Sequence, residues 1–497
     1  MLDSVFSVRQ AKAARGLLAR TAAGLGTLAL LFGCSSLNSP DRESRVWLRG
    51  TGFVLDVGDT ATVGFVMRHG DDLFESPSSR YPLPSGTAAW RSSNEAVAII
   101  DAKGIVTAVA PGSTVLTVSL AGLTDTATVN VLAGPASVRF AQVVTGTGHS
   151  CGLSATGRGY CWGSLSHGQT GVPLRRYTRA LSPQSVLSSQ TFTQLVAGGF
   201  DTCGLASDGR AFCWGDNLSG QLGSEGGGTH VPTAVETNLR FSRIAIGSDR
   251  GCGVTLQRTV FCWGRGQSGT AFTIPTGFQE LSVGLDHVCA TDTQGRAYCW
   301  GANTHGQLGA GDALSRTAPT PVSGTHTFVA ISAGGLVSCG IVSTGAALCW
   351  GDGTFGKLGT GDDAARGVPT PVQTNLRFRT ISVGTQHTCA IAEDSSIWCW
   401  GTNLNGRLGF PPERSDPTAA DLIYRTPQRV TGLSDARSIS ASTGAHTCAL
   451  TLQNQAFCWG FNISGELGYG KHDFFPGTQL EMRFTPTSVR STLTGLN

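Results

Sequence analysis

The fold of this chain is decided by a pattern that is clearest in residues 378–409. The stretch reads Phe378-Arg-Thr-Ile-Ser-Val-Gly-Thr-Gln-His-Thr-Cys-Ala-Ile391, then, after a short turn, Ile397-Trp-Cys-Trp-Gly401, and finally Asn403-Leu-Asn-Gly-Arg-Leu-Gly409. Short alternating runs are separated by turn residues, and no helical period extends across the stretch. The pattern therefore predicts antiparallel β-strands.

The same pattern occurs seven times between residues 151 and 459. Each copy has two cysteines ten residues apart, and Trp-Gly follows the second cysteine. A period near 50 residues with recurring glycines and aromatics indicates one supersecondary unit repeated in a ring or an array. The pairs are Cys151 with Cys161, Cys203 with Cys213, Cys252 with Cys262, Cys289 with Cys299, Cys339 with Cys349, Cys389 with Cys399 and Cys448 with Cys458.

The ten-residue spacing predicts that the two cysteines of a pair face each other across a hairpin. Ser207-Asp208-Gly209 fits a three-residue loop with glycine in the left-handed position, and Asp208, Asp292 and Asp394 lie at or beside such turns. Opposed residues on antiparallel strands are close enough for a disulfide. We expect seven disulfides; the alternative is seven pairs of free, buried thiols.

A metal site is the other chemistry that cysteines suggest, because His-x-Cys occurs at His149, His287, His387 and His446. Tetrahedral zinc sites normally use a tighter Cys-x2–4-Cys spacing. We therefore expect no metal and no cofactor, and we expect each histidine to bond to backbone within its own unit.

The combination of His-Thr-Cys-Ala, Cys-Trp-Gly and Asn-x-x-Gly-x-Leu-Gly resembles the RCC1 repeat (regulator of chromosome condensation) over residues 138–490. The resemblance implies an all-β fold, a seven-bladed β-propeller spanning residues 138–497. Blade three lacks the Gly-x-Leu-Gly element. The last strand, Pro486-Thr-Ser-Val489, is expected to join the blade that begins at Phe140 and so to close the ring.

The residues before the propeller predict export. Residues 1–33 carry four basic residues and then an uncharged stretch too short to span a bilayer, as in a signal peptide. Leu31-Phe-Gly-Cys34 resembles a bacterial lipobox, in which Cys34 would be lipidated; the alternative is an ordinary cleaved signal, or an uncleaved anchor, with a coincidental cysteine. A lipid on Cys34 would anchor the protein, and we expect an outer-membrane lipoprotein of the bacterial envelope.

Residues 34–45 are predicted to be a polar tether, and residues 46–133 a domain of alternating strands. The segment Trp90 to Val109, followed by Pro111-Gly-Ser113, resembles a bacterial immunoglobulin-like domain of group 2, a small β-sandwich. Cleavage before Cys34 would leave 32 basic and 32 acidic residues. A neutral chain offers no electrostatic reason to bind nucleic acid, so we expect no nucleic-acid partner.

No catalytic set stands out: the chain has no His-Glu-x-x-His and no phosphate-binding loop, and its Gly-x-Ser-x-Gly match, Gly148-His149-Ser150-Cys151-Gly152, falls inside the repeat pattern that predicts strands. We therefore expect a monomeric, non-enzymatic binding module whose propeller loops contact a protein or a glycan. The alternatives are a structural envelope protein, or an enzyme or nucleotide-exchange factor on the same scaffold. The two longest departures from the repeat, 410–425 and 469–483, supply the candidate binding residues Phe410, Tyr424, Tyr469, Phe474 and Phe475; the alternative is that these aromatics pack locally under the long loops.

Overall fold

The computed structural model describes the side chains of most of the region from Ala88 onward, and the backbone of five strands before it. The described ranges are 45–48, 52–56, 60–62, 65–69, 72–76, 88–102, 104–110, 112–120, 123–132, 139–172, 178–413, 418, 420–441, 443–470 and 482–490. Within these ranges the protein is built of β-strands, with three short 3-10 turns at Thr354–Gly356, Leu404–Gly406 and Ala420–Leu422.

The N-terminal region is an all-β unit with its own core. Its strands are β1 (Arg45–Leu48), β2 (Gly52–Asp56), β3 (Thr60–Thr62), β4 (Phe65–His69), β5 (Asp72–Ser76), β6 (Ala89–Ser92), β7 (Ala98–Ile100), β8 (Ile105–Ala108), β9 (Gly112–Leu120) and β10 (Leu123–Leu132). They form sheets in the orders β1-β4-β5, β2-β10-β9-β6 and β3-β8-β7. Alternate residues of β9 are buried, namely Thr114, Leu116, Val118 and Leu120, as the period of two along a half-buried strand requires.

Seven four-stranded antiparallel sheets follow, one for each cysteine pair. The first three blades contain β11 (Phe140–Thr145), β12 (His149–Ser154), β13 (Gly159–Ser164) and β14 (Arg179–Ser185); β15 (Phe192–Ala197), β16 (Asp201–Ala206), β17 (Ala211–Gly215) and β18 (Thr229–Ala234); and β19 (Phe241–Ile246), β20 (Arg250–Thr255), β21 (Val260–Gly264) and β22 (Gln267–Phe272).

The other four blades repeat this order. They contain β23 (Phe278–Val283), β24 (His287–Asp292), β25 (Ala297–Gly301) and β26 (Arg316–Pro321); β27 (Phe328–Gly334), β28 (Val337–Val342), β29 (Ala347–Gly351) and β30 (Arg366–Pro371); β31 (Phe378–Val383), β32 (His387–Ala392), β33 (Ile397–Thr402) and β34 (Ile423–Arg429); and β35 (Ala436–Ala441), β36 (His446–Thr451), β37 (Ala456–Phe461) and β38 (Met482–Ser488).

The predicted cysteine register is confirmed in every blade, and the thiols are not free. The two cysteines of each pair lie directly opposite each other on the second and third strands, with Cα atoms 4.0 to 4.2 Å apart. The disulfides join Cys151 to Cys161, Cys203 to Cys213, Cys252 to Cys262, Cys289 to Cys299, Cys339 to Cys349, Cys389 to Cys399 and Cys448 to Cys458.

The hairpin turn between the two cysteines is also as predicted. Gly209 has a positive φ of 81°, and the Ala206 N–H donates to the Arg210 carbonyl. In blade six the left-handed residue is Ser395 instead of a glycine. The turn thus keeps its geometry in a copy that lacks the favoured residue.

The predicted closure of the ring is wrong. Strand β38 pairs with β37 as the fourth strand of blade seven, and β11 is the first strand of blade one. No blade is shared between the two ends of the described propeller. The first and last blades are instead joined by hydrogen bonds: Thr145 and Ser440 bond between their inner strands, Arg437 donates to the Ala141 carbonyl, and the Phe140 N–H donates to the Asn454 carbonyl.

The core of the propeller lies between blades rather than within them. Each of its buried clusters combines one blade's disulfide with the tryptophan of the following blade, as Cys389 and Cys399 do with Trp459. In six blades the tryptophan also lies near the phenylalanine that opens its own blade, at 5.8 to 6.2 Å between ring centroids. The blades are therefore packed as a continuous ring around the inner strands, which surround a cavity of about 220 Å³.

Candidate functional site

The two faces of the propeller differ in how much they vary. The turn face carries the connections between the second and third strands, and each of these connections has four residues, as in Ser207–Arg210 and Glu393–Ser396. The loop face carries the connections between the third and fourth strands. These run over residues 165–178, 216–228, 265–266, 302–315, 352–365, 403–422 and 462–481. Their lengths range from two to twenty residues, so variation is concentrated on the loop face.

The turn face is built for regularity. Asp208 accepts the backbone N–H of Arg210, Asp292 accepts those of Gln294 and Arg296, and Asp394 accepts that of Ser396. The backbone and side-chain hydrogen bonds from Arg210 lower the pKa of Asp208, and the hydrogen bond from the Ser396 hydroxyl, followed by that from its backbone N–H, lowers the pKa of Asp394. The turn role predicted for the three carboxylates is confirmed, and it uses their acceptor capacity within the turn.

The Gly-x-Leu-Gly element forms a compact hydrogen-bonded turn at the start of most loop-face connections. In blade six, Oδ1 of Asn403 accepts the Leu408 N–H at 3.0 Å, and its amide donates to the Phe410 carbonyl. The leucine side chain is completely buried in this blade and in four others, at Leu222, Leu308, Leu358, Leu408 and Leu467. The element thus fixes the root of each long connection, and the residues after it are free to differ.

Each element also packs against the next blade through its central carbonyl. The Arg407 carbonyl of blade six accepts the indole N–H of Trp459 at 3.0 Å and the hydroxyl of Thr447 at 2.9 Å, and that hydroxyl pairs with Nε2 of His387. We call this set of histidine, hydroxyl, carbonyl and tryptophan the junction lock. A histidine and a hydroxyl meet in the same way at the pairs His446 with Ser150, His149 with Thr202, and His287 with Ser338.

The predicted backbone contact within the blade is present at His149 as a 3.4 Å contact between Nδ1 and the Thr147 carbonyl. The shorter hydrogen bond of each histidine, at 2.8 to 2.9 Å, instead crosses the junction to a hydroxyl of the next blade, which was not predicted from the sequence. The sequence signal was the serine or threonine that immediately precedes the first cysteine in five copies. Burial lowers the pKa of His149 and of His287 to about 4 and that of His446 to about 3. Each is a neutral structural group at neutral pH, as a buried histidine with a hydroxyl partner should be.

The junction between blades three and four has lost the lock. Arg250 stands where the histidine would be, Val288 stands where the hydroxyl would be, and the two-residue connection 265–266 has no element. Only Trp300 remains, 2% exposed, and its indole N–H has no hydrogen-bond partner among the described residues. A cavity of about 660 Å³ lies there, lined by Arg250, Phe272, Asp286, Trp300 and Arg316 among others. We call this cavity the notch.

Three of the predicted binding aromatics lie in or beside the two longest loop-face connections: Phe410 and Tyr469 directly follow the elements of blades six and seven, and Tyr424 is the second residue of β34. Phe410 is 9% exposed and packs edge-on against Tyr424, at 4.9 Å between centroids. Tyr469 is 7% exposed, and the guanidinium of Arg483 lies 5.1 Å from its ring centroid. These three residues anchor the roots of the two longest connections. Phe474 and Phe475 lie outside the described residues.

Ion pairs hold the middle of the shorter connections in place. Arg316 pairs with Asp312 and Arg366 with Asp362, each four residues away, at 2.6 and 2.7 Å. The Arg366 guanidinium and a backbone N–H together lower the pKa of Asp362. In these two connections an ion pair thus joins a residue of the connection to the first residue of the strand that follows it.

The described residues contain no cluster of three or more histidine, cysteine, aspartate or glutamate side chains arranged to hold a metal ion. The four histidines belong to different blades, and each bonds to a hydroxyl. In the part of the chain that the structure describes, no helix is long and apolar enough to cross a membrane. Cys34 lies outside the described residues.

Comparison with known proteins identifies the repeat. Sequence profiles of the regulator of chromosome condensation (RCC1) repeat match residues 208–252, 294–341, 344–391 and 394–450, and a second profile of the same repeat matches residues 192–221, 278–307 and 378–407. Among solved structures, Prp20p of Saccharomyces cerevisiae superimposes with a TM-score of 0.59 at 20% identity, over 69% of this chain and 88% of Prp20p. Human WBSCR16 superimposes with a TM-score of 0.59 at 19% sequence identity, over 67% of this chain and 93% of WBSCR16.

Curated relatives match over shorter stretches. The human probable E3 ubiquitin-protein ligase HERC3 is 39% identical over 84 residues, which is 16% of this chain and 8% of HERC3. Protein pim1 of Schizosaccharomyces pombe is 34% identical over 86 residues, 17% of this chain and 16% of pim1. The matches thus span less than a fifth of either relative. The protein is an all-β propeller; more particularly, it carries RCC1 repeats and has the RCC1-like propeller fold.

Proposed function

We propose that this protein is an exported, non-enzymatic binding module that recognises a protein partner with the loop face of its propeller. The observation that carries the proposal is the contrast between the faces: the turn-face connections have four residues in every blade, and the loop-face connections range from two to twenty. A fixed scaffold with variable loops on one face is the arrangement that recognition proteins use. RCC1-like propellers are suited to protein binding, and the Prp20p structure was described together with its binding to Gsp1p and histones.

Export is proposed from the cysteines and the N-terminal sequence. Seven disulfides suit an oxidising compartment. In this proposal a lipid on Cys34 anchors the protein to a bacterial envelope membrane, and the N-terminal all-β unit is an immunoglobulin-like spacer between membrane and propeller. Alkylation of exported protein followed by mass analysis tests both features. We expect no free thiol among the fourteen repeat cysteines and an acyl mass on Cys34; free thiols or an unmodified Cys34 would contradict export or anchoring, respectively.

The binding face is tested by exchanging loops while the junction lock is kept. In the loop variant, residues 410–423 and 469–482 are both replaced by the six residues Thr360–Ala365 of blade five. This change retains the Gly-x-Leu-Gly elements of blades six and seven but removes four of the five candidate aromatics. The control variant is Asp208→Thr on the turn face. It gives the turn of blade two the Ser-Thr-Gly sequence of the blade-five turn and keeps the left-handed Gly209.

Crosslinking capture from native envelope, with the full-length chain as bait, supplies the readout. We expect a saturable protein partner that is lost with the loop variant and retained with the turn variant. Capture that survives the loop exchange would remove the two longest connections from the binding site. A partner that is displaced by a soluble glycan would replace protein recognition with glycan recognition.

A further inference from the structure

The other six junctions define what the notch between blades three and four lacks. At each of them, the preceding blade inserts its element against the tryptophan of the next blade. In blades two, five, six and seven the element's carbonyl accepts the indole N–H, at 2.8 to 3.0 Å. The group that normally packs against the tryptophan at a junction, which we call its complement, is therefore a turn whose backbone carbonyl faces the indole N–H.

Blades one and four supply the same turn, but the element carbonyls of Gln169 and Gln307 accept the hydroxyl of the next blade, Thr202 or Ser338, instead of the indole N–H. The indole N–H groups of Trp214 and Trp350 have no hydrogen-bond partner among the described residues. The last glycine of the element nevertheless covers them, because a methyl group built on Gly171 or Gly309 would be 2.9 or 2.8 Å from the indole nitrogen. A closely packed glycine is thus the second part of the complement. Trp300 differs from all the others in lacking both the carbonyl and the glycine.

Blade three replaces part of this complement with its own side chain. Phe272 takes the register position that valine holds in the other blades, and its ring centroid lies 5.4 Å from that of Trp300. Phenylalanine fills apolar space but offers no hydrogen-bond acceptor. The indole N–H of Trp300 consequently stays unpaired among the described residues, although it is buried beside an open cavity. An unmet donor of this kind is a feature that a ligand's oxygen would satisfy.

A second unmet donor lies in the same wall. Nε of Arg250 has no hydrogen-bond partner among the described residues, and its nearest carboxylate oxygen, on Asp249, is 3.7 Å away. Arg250 itself is 9% exposed. Asp249 is also paired with Arg265 at 2.8 Å, so it is shared between two guanidinium groups. The notch thus combines an apolar wall of Phe272 and Trp300 with two donors, and its volume of about 660 Å³ is in the range of pockets that bind ligands.

We propose that the notch binds a short turn of another polypeptide, carrying a leucine between small residues and an acidic side chain beside it. The leucine packs on Phe272, a backbone carbonyl of the turn accepts the Trp300 N–H, and the acidic group pairs with Arg250. The partner supplies in trans the turn that every other junction receives from within this chain. This inference rests on the proposed protein recognition by the loop face, but it uses a site separate from the connections of blades six and seven.

The test uses a capped synthetic peptide with the sequence Asn462-Ile-Ser-Gly-Glu-Leu-Gly468, the element of blade seven. The full-length protein is labelled with 15N at tryptophan, and the indole resonances are followed during titration with peptide up to about 1 mM, which detects even weak binding. We expect the Trp300 resonance, assigned with Trp300→Phe, to shift while those of Trp162, Trp400 and Trp459 stay in place. A peptide with Leu467→Ala should bind about tenfold more weakly, since it loses most of its apolar contact.

A matched protein variant fills the notch from within. It replaces Arg265-Gly266 with the blade-five connection Asp352–Ala365 and includes Phe272→Val, which restores the valine of the other blades. We expect this variant to retain the other indole resonances and to lose peptide binding. Arg250→Gln should weaken binding about tenfold by removing the charge-assisted hydrogen bond.

Three results would overturn the proposal. The first is the absence of any Trp300 shift in the wild-type protein, and the second is an equal shift in the filled variant. The third is an identical shift produced by acetate with no response to the peptide, which would assign the notch to small carboxylates. None of these results depends on the two long connections, so the loop exchange of the proposed function is judged separately.

Discussion

The junction between blades six and seven and the junction between blades three and four are made by the same repeat, yet one is closed and the other is open. At the closed junction His387, Thr447, the Arg407 carbonyl and Trp459 form one hydrogen-bonded set above the buried Leu408. At the open junction Arg250, Val288 and Phe272 leave Trp300 beside a cavity. Blades three and four are still joined by the buried cluster that contains Cys252, Cys262 and Trp300, and Arg243 and Glu280 pair across the same junction at 2.9 Å on the inner strands. The difference teaches that the lock is a local device that one blade can give up for another use.

The largest effect should come from a methyl group added at the closed junction. Gly409 has a φ of 84°, and its added Cβ would lie 2.8 Å from both Nε1 of Trp459 and Cγ1 of Val430. Gly409→Ala should lower the free energy of unfolding by about 3 kcal/mol, through backbone strain and overpacking. In Gly266→Ala, at the open junction, no described atom lies within 4 Å, and only the φ of 66° opposes the change. We expect a loss of about 1 kcal/mol there by urea denaturation; equal losses would mean that the two junctions are packed alike.

Acid should destabilise the closed junctions that contain a histidine and leave the open one unaffected. The folded pKa of His149 is about 4 against an unfolded value of 6.5, so the unfolded chain binds a proton first as the pH falls. The stability due to this neutral histidine is complete above pH 6.5 and is lost between 6.5 and about 4. The loss is about 3 kcal/mol for His149 at the lower limit.

The acid prediction is measured as the free energy of unfolding between about pH 7 and pH 4.5. His149→Asn should flatten the profile, since asparagine does not titrate. Exposed His305→Asn is the control and should reproduce the wild-type slope. An unchanged slope in His149→Asn would show that this histidine does not couple stability to protons.

At the junction between blades seven and one, Glu466 should make the stability change with pH in the direction opposite to that of His149. Burial raises its pKa to about 7, and its carboxylate accepts the Ser464 N–H at 2.8 Å. Since the unfolded carboxyl ionises near 4.5, stability falls as the pH rises from 4.5 through 7. Glutamine fills the same position in three other blades and accepts the equivalent N–H. Glu466→Gln should therefore stabilise the protein by about 3 kcal/mol near pH 8 and have little effect near about pH 4.5; no gain at the higher pH would contradict the raised pKa.

The smallest expected effect measures the contribution of one hydrogen bond, that from the Trp459 indole N–H to the Arg407 carbonyl. Trp459→Phe and Trp300→Phe remove similar ring volume, but of these two only Trp459 donates to a described carbonyl, that of Arg407. Trp459→Phe should cost about 1 kcal/mol more than Trp300→Phe, the usual net contribution of one such bond. Chemical denaturation of the two variants in parallel measures the difference, and indistinguishable losses would remove the tryptophan from the lock.

The sequence was sufficient to predict the repeats, the hairpins and the cysteine register, because these depend on local spacing and turn chemistry. It also showed that blade three lacks the element. The prediction from the sequence of how the propeller ring closes was wrong, because Pro486-Thr-Ser-Val489 was interpreted as a strand of blade one. In the structure the motif marks the fourth strand of its own blade, as Pro369-Thr-Pro-Val372 does in blade five.

The junction lock could not be predicted from one copy of the repeat. Its hydroxyl belongs to one blade, its histidine and carbonyl to the preceding one, and these atoms meet only when two blades are placed side by side. The notch was hidden for the same reason: nothing local to Trp300 shows that the blade before it supplies no carbonyl. The aromatics Phe410 and Tyr469 were candidate binding residues, but both are buried, because each directly follows its element and packs at the root of a long connection.

The most direct test of the contrast between closed and open junctions is hydrogen exchange at the indole nitrogens, followed by NMR on the free protein. Four tryptophans donate to carbonyls, namely Trp162, Trp263, Trp400 and Trp459, whereas Trp300 has no acceptor among the described residues.

We expect the Trp300 indole proton to exchange at least about tenfold faster than those four, since no hydrogen bond must break first. Trp214 and Trp350, which an element covers without a hydrogen bond, should exchange at intermediate rates. Equal protection of Trp300 and the four bonded tryptophans would mean that the junction between blades three and four is closed and that the notch is not available to a partner.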